Sequence, residues 1–216
     1  MKLVYKSISF LIVFTLLLIV VSCNNETVEQ DENNDTIDTP MAKCENGFAD
    51  IYPCNGYDLM AHVTLNTMGA QEGNDSWGWT DTTTNREYAL VATDANTSFV
   101  DITISNNPIY LGSLPTATVS SSWRDVKVYN NHAFIVSEAP SHGMQVFDLT
   151  RLRNVANPPE TFSADARLTG FGSSHNIVIN EASGYAYIVG TNRNTSPSLG
   201  DPIFINIQNP TAPIME

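Results

Sequence analysis

Beyond residue 72 the apolar positions fall in short bursts separated by Gly, Asn, Asp, Ser and Pro, and no stretch keeps helical spacing. That distribution predicts strands. Three bursts align with one another: Glu87 to Val91 (EYALV), His132 to Val136 (HAFIV) and Tyr185 to Val189 (YAYIV). Each is rich in β-branched and aromatic residues, which suit a pleated, half-buried surface. A turn-rich gap then leads to a second strand, at Phe99 to Ile102, Val146 to Leu149 and Phe204 to Ile207, with Asp101, Asp148 and Asn206 in one shared place. A third strand precedes each pair, at Trp77 to Thr80, Val126 to Tyr129 and Asn176 to Ile179.

The tails Asn107 to Gly112 and Asn209 to Ile214 carry Pro, which is tolerated on an edge strand where a missing N–H breaks no ladder bond. They are expected to be a fourth, outer strand. Four short strands repeating at about 44 to 53 residues make the pattern of a β-propeller blade. The expected fold is therefore all-β: a propeller of four-stranded blades over 73–216, present as an incomplete arc of about three blades. Closed propellers take about four to eight blades, and the chain stops inside the outer strand of the third. The sequence is accordingly expected to be the N-terminal part of a longer protein.

Ahead of the repeats the pattern changes twice. Lys2 and Lys6 precede an apolar run from Ile8 to Val21, the layout of an export signal over residues 1–22. The run is shorter than the roughly 20 residues a membrane-spanning helix needs. Val20-Val21-Ser22-Cys23 resembles a lipobox, so Cys23 is expected to be the lipidated first residue of the mature chain. The alternative is an ordinary secretory signal that leaves Cys23 a free thiol. Residues 23–43 are acidic and nearly devoid of large apolar residues, as a flexible tether would be. Residues 44–72 form a segment bracketed by Cys44 and Cys54.

Three cysteines leave one over if Cys44 and Cys54 pair, and an oxidising compartment would permit that disulfide. Two free buried thiols are the alternative. The formal charge is −13, and loss of Lys2 and Lys6 with the signal makes it two units more negative. Such a balance repels nucleic acid and anionic lipid head groups. The expected location is the cell envelope, at the outer membrane or cell surface, with the membrane as a partner through the lipid anchor.

Several stretches, namely 52–59 (YPCNGYDL), 76–81 (SWGWTD), 87–91, 122–129 (SWRDVKVY), 142–149 (HGMQVFDL) and 174–180 (SHNIVIN), together resemble the choice-of-anchor B family. That family consists of extracellular proteins with propeller-like LVIVD repeats. The resemblance implies an extracellular repeat domain whose mode of attachment varies, and it implies no catalytic activity.

Aligning the three units places Asp75-Ser76, Arg124-Asp125 and Ser174-His175 at the start of each innermost strand. The candidate ligand-binding residues are Ser76, Trp77, Arg124, Asp125, His175 and Asn176, expected to converge as a polar ring around a channel mouth. Such a ring suits an extracellular protein or glycan, and a divalent cation held by His and carboxylate is conceivable. A propeller hydrolase or lyase, with or without a divalent metal, using the His and Asp of the same ring is the alternative function. A third reading makes these residues structural, tying neighbouring sheets through bonds to backbone. Trp77, Trp79 and Trp123 are expected near the same mouth, and His142 is read as a turn residue. No Gly-x-Ser-x-Gly, phosphate-cradling glycine loop or His-Glu-x-x-His is present.

Overall fold

A computed structural model describes residues 39–191 and 200–216, which fall within one compact unit, Asp38–Glu216. The expected export signal, the expected lipidation site Cys23 and residues 23–38 of the expected tether lie outside the described residues. The described part is all-β, built from short sheets none of which closes on itself.

A small hairpin comes first, β1 (Phe48–Ala49) and β2 (Tyr52–Pro53), braced by a disulfide between Cys44 and Cys54. The expected pairing is thus present. Sheet 1 then runs as an antiparallel meander of β3 (Gly73–Asp81), β4 (Arg86–Thr93), β5 (Asn96–Asp101) and β6 (Ile109–Pro115). Sheet 2 begins with β7 (Arg124–Tyr129), β8 (His132–Ser137) and β9 (Met144–Asp148). A short 3₁₀ helix, Leu149–Asn154, follows, its first turn capped by the Asp148 carboxylate on the Thr150 N–H. The chain next contributes β10 (Glu160–Thr161) in parallel to the outer edge of sheet 1, then returns as β11 (Ala166–Leu168), the outer strand of sheet 2. Sheet 3 is the meander β12 (Asn176–Asn180), β13 (Tyr185–Val189), β14 (Ile203–Asn206) and β15 (Ile214–Met215).

Turn chemistry fixes the hairpins. Asn130 and Asn131 both take positive φ, 47° and 58°, the two-residue geometry whose twist matches the strands it joins. The Asp81 carboxylate closes the β3–β4 hairpin by accepting from the Thr83 N–H and the Thr84 hydroxyl.

The first strands lie side by side, β7 packing against β3 on one flank and against β12 on the other. Alternation along each strand then fills two cores. Tyr88, Leu90 and Phe99 of sheet 1 meet Val126, Ala133, Ile135 and Phe147 of sheet 2. Phe134, Val136, Met144 and Val146, on the opposite face of sheet 2, meet Ile177, Ala186, Ile188 and Ile205 of sheet 3. Sheet 2 is buried on both faces, so β8 reads as an almost unbroken apolar run. At the first seam Phe99 stacks on Phe147 with centroids 4.6 Å apart, and Phe162, from the segment after β10, closes the trio.

Candidate functional site

The polar residues at the starts of β3, β7 and β12 follow a rule that the sequence alignment missed by one position. Asp75 accepts from the Val126 N–H at 3.3 Å, and Asp125 accepts from the Ile177 N–H at 2.8 Å. An acid on one first strand therefore grips the next first strand one residue past its own counterpart. The structurally equivalent set is Asp75, Asp125 and Asn176. One residue earlier the same spacing relates Asn74, Arg124 and His175, and the Asn74 side chain accepts from the Arg124 N–H at 2.7 Å.

Asp125 is buried and makes four contacts that account for it: the Ile177 N–H, the Asn176 amide, Lys127, and the neighbouring Asp75. Burial opposes its charge, but the hydrogen bonds shared with Asp75 and donated by Lys127, Ile177 and Asn176 outweigh it and hold the pKa below the ordinary value. Burial, followed by the closeness of Asp125, pushes Asp75 the other way. Lys127 bridges the two carboxylates and lies 4.5 Å above the Trp77 ring.

Arg124 is fully buried at the seam between sheets 1 and 2. Its Nε donates to the Thr93 carbonyl at 2.9 Å and its Nη1 meets His142 Nε2 at 3.1 Å. Burial lowers its pKa to about 10. A guanidinium can only donate, so His142 must accept through Nε2 and is neutral, with Nδ1 donating to the Gly143 carbonyl at 3.0 Å. Burial, with Arg124 and Arg167 nearby, takes the imidazole pKa down to about 4. His142 is thus a buried partner of Arg124 and not the simple turn residue expected from Ser141-His142-Gly143.

These positions correct the expected ring. Arg124 bonds the Thr93 carbonyl of sheet 1 through Nε while its Nη2 is buried without a partner among the described residues, Asp125 bonds the Ile177 N–H of sheet 3, and Asn176 reinforces Asp125. Ser76 lies on the face of β3 opposite Trp77, pointing away from sheet 2. Trp79, two residues along β3 from Trp77, is buried in the first core with its indole N–H bonded to Asn131. Of the six candidates, Ser76, Trp77 and His175 are exposed and lie outside the Arg124 and Asp125 contacts.

His175 belongs to an exposed cluster that no sequence motif marks. Its Nδ1 lies 2.5 Å from Glu138 Oε1, and its ring is 5.4 Å from that of Trp123, which is 50% exposed. The Trp123 carbonyl accepts from the Ser137 hydroxyl and the Glu138 N–H, so the hairpin seam of β7 and β8 sets both side chains. The Ser174 N–H, bonded to the Ser137 carbonyl, brings His175 to them. Glu138 follows the apolar burst of β8, and only the offset of one residue between units would have flagged its approach to His175. Among the described residues no group of three or more His, Cys, Asp or Glu side chains could hold a metal ion.

No family model, curated protein or solved structure matches this chain.

Proposed function

We propose that this chain is an exported, lipid-anchored cell-envelope protein of the choice-of-anchor B kind, whose sheets are blades of a β-propeller that acts as a binding module. The reading of sheets 1 to 3 as blades is supported by the side-by-side first strands and by the repeated acid-to-backbone contact between them. One observation carries the binding role: the exposed Trp123, His175 and Glu138 cluster beside the first strands. An open indole face flanked by an imidazole and a carboxylate suits a glycan, whose C–H faces stack on aromatics and whose hydroxyls bond to the polar pair. The alternative, a propeller hydrolase or lyase using a His and Asp ring, needs Asp125 beside His175 at an open mouth, and Asp125 is buried and bonded to the Ile177 N–H.

Two measurements test this. Binding of the purified protein to an oligosaccharide array should be saturable and should be lost in Trp123→Ala and His175→Ala. Array signals no higher than those of the two variants would refute the glycan role. Expression in a lipoprotein-processing bacterium with an alkyne-tagged palmitate should label the wild type and spare Cys23→Ala. Equal labelling of both, or of neither, would refute the anchor.

A further inference from the structure

Sheet 1 has a second face, directed away from sheet 2, carrying Ala89, Val91, Val100 and Ile102. The segment from Met60 to Met68 runs over that face without sealing it. It is tied down by the Asn96 amide on the Met68 carbonyl at 2.9 Å and by Asp94 Oδ1, which accepts from the Gln71 and Glu72 N–H groups. Between segment and sheet lies an apolar cavity of about 250 Å³, lined chiefly by Met60, Val63, Met68, Val91 and Val100. A second compartment of about 330 Å³ shares Met60, Ala61, Val63 and Pro108 with it and is edged by Thr39, His62, Asn106 and Asn107.

We infer that these joined compartments form a site for a neutral single-chain amphiphile, an aliphatic tail with an uncharged hydroxylated head such as a monoacylglycerol. Three features select that occupant. The polarity is graded: the inner compartment offers apolar side chains and one serine, the outer offers amides, a hydroxyl and an imidazole. Among the described residues no Asp, Glu, Lys or Arg lines either compartment, so they offer a charged head no counter-ion. The chain's net charge of −13 further disfavours an anionic head. Methionine, unbranched and polarisable, adapts to a flexible tail, and two of them face the inner cavity. The inner volume, about 250 Å³, falls below and the outer, about 330 Å³, just above the roughly 300 Å³ at which ligand sites start, and this limits the guest to one chain.

The test is methyl NMR of ¹³C-methionine-labelled protein titrated with monodecanoylglycerol below its micelle concentration. The Met60 and Met68 methyls should shift saturably while Met144, buried between sheets 2 and 3, stays still. Ala89→Phe fills the cavity from the sheet side and Ala61→Phe from the segment side. Each should weaken binding at least about tenfold, with the Met144 resonance unchanged as proof of folding. Decanoate should bind at least about tenfold more weakly than the glycerol ester. The inference is overturned by any of three results: no saturable shift, undiminished binding in a folded filled variant, or equal binding of decanoate. Concentration-dependent shifts of Met60 and Met68 without the probe would also overturn it, by assigning the face to a second copy of the chain.

Discussion

Acid should loosen this protein through one imidazole. His142 is neutral in the fold because it is buried, Nε2 accepts from Arg124, and Arg124 and Arg167 repel a second proton, which together outweigh the Nδ1 bond to the Gly143 carbonyl. Its pKa falls from 6.5 to about 4 on folding. As pH drops below 6.5 the unfolded chain takes up this proton first, so stability is full above that value and declines until pH reaches about 4. Each unit of displacement is worth about 1.4 kcal/mol, so the loss over the window is about 3 kcal/mol. The assay is urea unfolding at several pH values across the window, on the wild type and on His142→Gln. Glutamine keeps an acceptor for Arg124 and has no proton to gain. The variant should lack that share of the slope, and the His142 ring should titrate near the lower limit by NMR. Parallel pH profiles for the two proteins, or a ring titrating near 6.5, would refute the reasoning.

Three further outcomes are expected. Asp125→Ala strips the acceptor from the Ile177 N–H and the partner from Lys127, and should cost about 3 kcal/mol in denaturant unfolding, whereas a ligand-only role would leave stability unchanged. Phe99→Ala removes the ring stacked between sheets and should cost about 3–5 kcal/mol by the same measurement. Gly112 sits at φ +135°, and an added Cβ would fall 1.9 Å from the Glu160 carbonyl oxygen. Gly112→Ala should therefore release β10, and hydrogen exchange should report lost protection of the Phe162 N–H that bonds Ser113.

Strand positions were legible because the apolar bursts are dense and the turns carry Asn, Asp and Gly. The reading of Tyr185 to Val189 agrees with β13 at both ends, and that of His132 to Val136 falls one residue short of β8. The outer strand of sheet 2 was not legible: β11 is three residues long, lies after the 3₁₀ helix and carries too few apolar positions to stand out. The parallel addition of β10 to sheet 1 was hidden for a similar reason, since two residues hold no periodicity. At the site, residue types were recognised but their spacing was misjudged. Strand alternation makes a slip of one residue decisive. It exchanges Arg124, which points into a seam, for Asp125, which clasps the next strand. His142 was undervalued because a histidine between Ser141 and Gly143 looks like loop, and only its contact with a buried guanidinium reveals otherwise.

The clasp from Asp75 to Val126 and from Asp125 to Ile177 also bears on how such a chain can change over time. Each contact sets the height of one sheet against its neighbour at a single rung, much as an indexing pin aligns stacked plates. The segments that carry the chain from one sheet to the next are thereby relieved of that duty. Insertions there can accumulate without sliding the sheets, while a single residue gained or lost before Asp125 within β7 would unseat both seams at once.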